Sequence, residues 1–247
     1  MVFPVQAAVS SLGDRIVYAL WYLASAALWV TASKYEAFGD NWLIAFAAIA
    51  ALQFVIIVIH ELGHALAAWR SGARVDAICA VPFVWDTSRR AVRFEPELPA
   101  HDIGGYVSYT FEAGGSTRKD MAIAAAGPLS NFASAAVVAG LAALLSASVL
   151  PSGERADPDP LQISAVDTDA PPRATRPAIR LPSEAEIEAM LETDRARRRR
   201  EALADWGEAL SELFIALSVI LGLLNLVPHR GSDGAAILAG WRVLRGR

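Results

Sequence analysis

Cysteine is almost missing from this chain: Cys79 is the single one among 247 residues. A lone thiol excludes an internal disulfide and any cysteine-based zinc cluster. It reads as a small core residue. Charge is scarce too, at 19% of residues with a formal net charge of −4. That balance offers nucleic acid no basic face to bind. Histidine is limited to His60, His64, His101 and His229, so an imidazole-based metal site must be drawn from these four.

What is abundant is apolar surface. Hydrophobic residues make up 54% of the chain and the mean hydropathy is +0.35, high for a protein that must present a polar face to water. Four stretches lack charge: Ile16–Ser33, Asn41–Ile59, Met121–Gly153 and Leu213–Pro228. Crossing the hydrocarbon core takes about 20 apolar residues of helix, and each stretch meets or approaches that length. The first lacks the strongly basic start and the A-x-A-like site of a cleaved signal peptide, so it reads as a retained span. The expected fold is an all-α polytopic membrane protein of about four transmembrane helices. A small β-hairpin or sheet is expected in the 70–120 loop.

Span one is placed near 15–33, with Tyr18, Trp21, Tyr22 and Trp29 suited to the membrane–water belt. A turn over 34–41 leads to span two near 42–69. Within the polar 70–120 loop, Val81–Val84, Ala91–Phe94 and 104–109 read as strands from their alternation and glycines. Span three covers about 120–149, is rich in small residues that allow close helix approach, and carries a Gly127-Pro128 break. Residues 151–182 form a Pro-, Asp- and Ser-rich linker. Residues 183–205 read as a helix opened by a Ser183/Glu186 capping box and closing on an arginine cluster, Arg195 to Arg200. Span four starts near Trp206, breaks at Asn225–Gly234 and resumes as a short helix to Trp241. The domain reading is therefore 1–40, an N-terminal helix and turn; 41–150, spans two and three with the loop between; 151–205, an extramembrane segment; and 206–247, the broken last span.

The chemistry lies in His60-Glu61-Leu62-Gly63-His64 at the end of the second apolar stretch. On a helix, residues four apart sit one turn above each other on the same face. Two imidazoles so placed can reach one zinc ion, and the glutamate between them can take a proton from the attacking water. The bland alternative is a set of polar groups satisfied within a bundle, but two His and a Glu are expensive at membrane depth without a function. A catalytic zinc usually keeps three protein ligands and one open position. Asp233 is the favoured third ligand. It lies between Gly231 and Gly234, and irregular backbone at membrane depth survives only where it lines a protein cavity or water pocket. Two alternatives stand beside it. Ser232 or Asp233 could cap the helix starting near Ala235, and His229 could compete for the metal.

These motifs together resemble the site-2 protease family of intramembrane zinc metalloproteases. His60-Glu61-Leu62-Gly63-His64 matches the family's zinc motif. Ala126-Gly127-Pro128-Leu129-Ser130-Asn131 is similar to its G-P-x-x-N signature. Asn225-Leu226-Val227-Pro228-His229-Arg230-Gly231-Ser232-Asp233-Gly234 is similar to its N-x-x-P-x-x-x-L-D-G. Gly104-Gly105-Tyr106-Val107 looks like the glycine-rich hairpin between its first two core spans. The resemblance runs from about 42 to 241. It implies that His60, His64 and Asp233 bind Zn2+ and that Glu61 is the general base. It also implies a substrate-binding set: Asn131 packed beside the site, Asn225 and Pro228 shaping the cleft, and Gly104, Gly105, Tyr106 and Val107 clamping an unwound substrate as an added strand. The chain departs from the pattern at Ser232, where the family has Leu, and at polar His229 and Arg230. The 151–205 segment is also too short for the PDZ domain of many relatives.

The expected activity is hydrolysis of peptide bonds in membrane-embedded substrates. The implied partners are a membrane protein with a transmembrane segment and the lipid bilayer, with no nucleic acid. Two other readings are a catalytically inactive scaffold or chaperone of the same fold, and a soluble zincin-type peptidase. Basic residues are nearly equal in number on the two sides of the spans, so the positive-inside rule leaves the orientation open. The resemblance puts the zinc nearer the cytoplasmic face. Abundant arginine beside only Lys34 and Lys119 hints at a GC-rich bacterial genome, hence a multi-pass protein of the bacterial inner membrane.

Overall fold

In the computed structural model, the described residues are Ala19, 42–95, 104–112, 114–148 and 183–246. The expected span at 15–33, the turn at 34–41, His101 and the 151–182 linker lie outside them, apart from Ala19. Helix α1 runs Trp42–Arg70. Strands β1 (Arg74–Ala80), β2 (Phe83–Asp86), β3 (Ala91–Phe94) and β4 (Gly105–Thr110) follow, then α2 (Thr117–Ser148), α3 (Glu184–Leu226) and α4 (Asp233–Leu244). Three of these helices hold apolar stretches long enough to cross a membrane: Leu43–Arg70, Thr117–Leu145 and one within Glu184–Leu226. Large apolar side chains stay exposed along them, among them Phe46, Val55, Leu62, Leu66, Leu129, Val137, Leu141 and Leu223. A water-soluble protein rarely exposes so much apolar surface; lipid is the solvent that suits it. This is an integral membrane protein.

Helix α1 stops at a glycine. Gly72 takes φ +82°, open to a residue without Cβ. Ala73 N–H donates to Ala68 O at 3.0 Å and Gly72 N–H to Trp69 O at 3.0 Å, the paired bonds of a Schellman cap. The chain then enters β1. The strands form one antiparallel sheet in the order β3-β2-β1-β4. Phe83 pairs with Ala80 across β1–β2 and with Phe94 across β2–β3, while Cys79 pairs with Tyr106 across β1–β4. Ala91–Phe94 is a strand as expected, the strand expected at Val81–Val84 starts only at Phe83 after a turn at Val81-Pro82 and runs to Asp86, and 104–109 contributes a single edge strand, Gly105–Thr110, whose partner is β1. Strand β1, Arg74–Ala80, adds a fourth strand to the three that the sequence suggests. The Tyr109 hydroxyl, pushed up to about 12 by burial beside Asp120, donates to the Asp120 carboxylate at the start of α2 at 3.3 Å.

The described residues divide into two compact units. One ends at Ala142 and resumes at Asp205; the other is Ala143–Ala204. In the first, Ala45, Ile49 and Ile56 of α1 pack with Ala209, Leu213, Phe214 and Leu217 of α3. A second cluster joins Ala68 and Ala73 to Ile123 of α2, with Val75 and Tyr109 of the sheet against it. In the other unit, Ser183 and Glu186 close the expected capping box: Glu186 N–H donates to Ser183 Oγ at 3.3 Å and Ser183 N–H to Glu186 Oε2 at 2.7 Å. Asp194 receives Arg197 at 2.7 Å and Arg198 at 2.8 Å.

Two expected breaks are absent. Residues 184–205 and the start of span four are one helix, α3, which holds no proline and only two glycines, Gly207 and Gly222. Helix α2 also continues through Gly127-Pro128.

Candidate metal centre

The three ligand candidates come from two helices far apart in sequence. His60 and His64 project from one face of α1, with ring centroids 4.7 Å apart. Asp233 opens α4. His60 Nε2 lies 3.1 Å from Asp233 Oδ2 and 3.1 Å from His64 Nε2, and His64 Nε2 lies 3.3 Å from Asp233 Oδ1. Among the described residues these three are the His, Cys, Asp or Glu side chains whose donor atoms gather within reach of one ion.

The spacing fits zinc. Ligands about 2.0–2.1 Å from a tetrahedral ion stand about 3.3 Å from one another, close to all three separations. The donor set of two imidazoles and a carboxylate is one that catalytic zinc uses. His60, Glu61 and His64 are all buried, away from the lipid-exposed faces.

Each candidate ligand is held from behind. His64 Nδ1 donates to Ile123 O at 2.7 Å. That carbonyl lies on α2, one turn before Gly127. His60 Nδ1 faces the side-chain amide of Asn131 at 3.1 Å. Asp233 is set by Ser232, which occupies the N-cap and accepts from Ala235 N–H at 3.2 Å. The cap is thus filled by its neighbour, and Asp233 turns to the histidines. Ser232 Oγ also accepts from His229 N–H at 3.0 Å and lies 2.8 Å from Val227 O, closing the 227–233 loop on itself. This is what serine does where the family pattern has leucine. His229 bonds Val227 O through Nδ1 at 2.9 Å and stands outside the three-residue group.

Small residues let these elements meet. A Cβ on Gly127 would collide with the Nε2 atoms of both histidines, and one on Gly63 would collide with Ser130 and Ala126 O. Ser130 Oγ lies 3.0 Å from Ile59 O, a polar tie between α1 and α2 of the kind membrane helices use. Gly63, Gly127, Ser130 and the Ile123 carbonyl were not singled out as site-forming from sequence. The Gly127, Ser130, Asn131 spacing on one helical face was the available signal. At the sheet, a Cβ on Gly105 would lie 2.7 Å from Glu61 Oε1, so edge strand β4 begins against the glutamate. Asn225 and Val227–Pro228 lie at the end of α3 and in the loop leading to Asp233.

The profile of peptidase family M50 matches residues 47–245, a stretch that holds the zinc motif, the sheet, α2 and the Asp233 loop. No curated protein and no solved structure gives a match. With most of the chain inside the family profile, and two histidines and an aspartate converging at zinc spacing between membrane helices, the chain belongs to peptidase family M50, the site-2 protease family of intramembrane zinc metalloproteases.

Proposed function

We propose that this protein cleaves a membrane-protein substrate within or beside its transmembrane segment, with His60, His64 and Asp233 as zinc ligands and Glu61 as general base. The observation that carries the reading is the convergence of the three donor atoms at 3.1–3.3 Å one residue away from a buried carboxylate. When bound, zinc supplies Lewis acidity that polarises a peptide carbonyl and brings water's proton within reach of a weak base. Glu61 takes that proton as the water oxygen attacks the carbonyl carbon. It then delivers the proton to the departing amine as the C–N bond breaks, leaving a carboxyl and an amino terminus.

A helical substrate hides its carbonyls in its own hydrogen bonds and must be unwound before cleavage. Strand β4 supports a route for this. It is a sheet edge, it starts at Gly105 against Glu61, and an extended chain added to that edge finds replacement backbone bonds. Tyr106 and Val107 lie on this strand, with Gly104 just before it. Asn225 and Pro228, which lead into the Asp233 loop, are suited to shaping the cleft wall. The arginine-rich, lysine-poor composition favours a bacterial inner-membrane setting.

The test is Glu61→Gln in the full chain, with mass spectrometry of the membrane peptides that accumulate in cells. Cleavage should vanish while zinc remains bound. Full function in the variant would instead favour a scaffold or chaperone that binds clients without cutting.

A further inference from the structure

The two histidines are held from behind by different kinds of group. His64 Nδ1 faces a backbone carbonyl, which can only accept. Its proton therefore sits on Nδ1, and Nε2 presents a lone pair. His60 Nδ1 faces the amide of Asn131, which offers a donor at one end and an acceptor at the other. Asn131 is fully buried, at 0% exposure, and its Oδ1 has no hydrogen-bond partner.

A half-turn about the last side-chain bond exchanges the two ends of that amide. With nitrogen towards the ring, His60 Nδ1 accepts, the ring proton sits on Nε2, and that N–H is given to Asp233 Oδ2 at 3.1 Å. This network is self-consistent but leaves His60 Nε2 without a lone pair for an ion. With oxygen towards the ring, Nδ1–H donates to Oδ1, the buried acceptor gains a partner, and Nε2 turns a lone pair towards His64 Nε2 and Asp233. The nitrogen then takes the oxygen's former place.

We propose that Asn131 is a positioning residue of the zinc site, its amide turning so that Oδ1 accepts from His60 Nδ1–H when Nε2 ligates the ion. The inference rests on the zinc reading above and narrows the part played by Asn131. An amide without exposed surface, bonded to the ring nitrogen that does not ligate, acts on a substrate only through His60. Partners of this kind fix the tautomer and ring orientation of a ligating histidine.

The experiment uses the full chain in detergent, stripped of metal and titrated with zinc against a chromophoric chelator. Asn131→Leu removes the acceptor at similar volume and should weaken zinc binding about 10–100-fold. Asn131→Asp offers an oxygen in either orientation and should bind zinc at least as tightly as the wild type. Melting of the metal-free forms separates packing from coordination: a metal-free Asn131→Leu variant that melts near the metal-free wild type assigns its weaker zinc binding to the lost acceptor. An Asn131→Leu variant with wild-type zinc affinity overturns the proposal, and so does an Asn131→Asp variant that binds as weakly as the leucine one. If Asn131→Leu does not fold, the Asp variant decides alone: affinity below the wild type's sinks the idea. A wild-type protein that takes up no zinc brings down the proposed function as well, whereas a zinc-binding wild type matched by Asn131→Leu brings down only the role of Asn131.

Discussion

Gly127→Ala adds one methyl group in the place the structure can least accommodate it. The new carbon would lie 2.7 Å from His60 Nε2 and 2.5 Å from His64 Cε1, whereas non-bonded heavy atoms settle at about 3.5–4.0 Å. Relief requires a displacement of about 0.8 Å or more. The rings have little freedom to give, since His64 is bonded to Ile123 O and His60 to Asn131. A zinc site tolerates about 0.2 Å in its ligand distances, so the displacement exceeds the tolerance several-fold. Alanine gains up to about 1 kcal/mol over glycine as a helix former. Overpacking costs about 1–3 kcal/mol, and the ligand shift falls on zinc binding. The expected result is a loss of zinc affinity of about 100-fold or more, equivalent to about 3 kcal/mol, with cleavage lost in parallel. Zinc per protein is read by plasma mass spectrometry after gel filtration, and affinity by chelator competition. Gly140→Ala, in the same helix with open space around its Cβ, is the control and should be neutral or slightly stabilising. Wild-type zinc affinity and cleavage in Gly127→Ala would refute the close approach of α2 to the histidine pair.

Gly105→Val should lower kcat while zinc stays bound, because its Cβ would press on Glu61 and on the Cys79 carbonyl; loss of metal instead would show that the sheet supports the ligands. Ser232→Ala removes an N-cap and the bonds that close the loop, which should cost about 1 kcal/mol in chemical denaturation and weaken zinc binding through Asp233. An unchanged zinc titration would detach the cap from the site. Tyr109→Phe breaks the bond to Asp120 and should cost at most about 1 kcal/mol, with cleavage retained. Stripping zinc with a chelator should lower the melting temperature and restoring zinc should raise it, as for any ligand that binds only the folded state.

The apolar stretches were legible because lipid imposes a length and forbids charge, and both can be counted along a chain. The capping box at Ser183 and Glu186 is similarly local. Strand β1, Arg74–Ala80, alternates only over its first four residues, and its place is decided by pairing with β2 and β4. The Gly127-Pro128 break was expected on local rules, yet α2 runs on through it. The missing Cβ at Gly127 admits both histidine rings against α2, and Ile123 O, one turn earlier, accepts from His64 Nδ1.

His60, Glu61 and His64 declare themselves from sequence alone, since helical periodicity puts a four-residue spacing on one face wherever the helix lies. The apolar runs declare the membrane in the same way. The meeting of those histidines with Asp233, 173 positions from His60, is a different matter. It depends on α1, α2 and α4 approaching closely enough, which Gly63, Gly127 and the Ser130 hydroxyl permit, and on Ser232 taking the helix cap so that Asp233 is left to face the imidazoles. Those are statements about shape and contact between distant segments, and tertiary packing decided them.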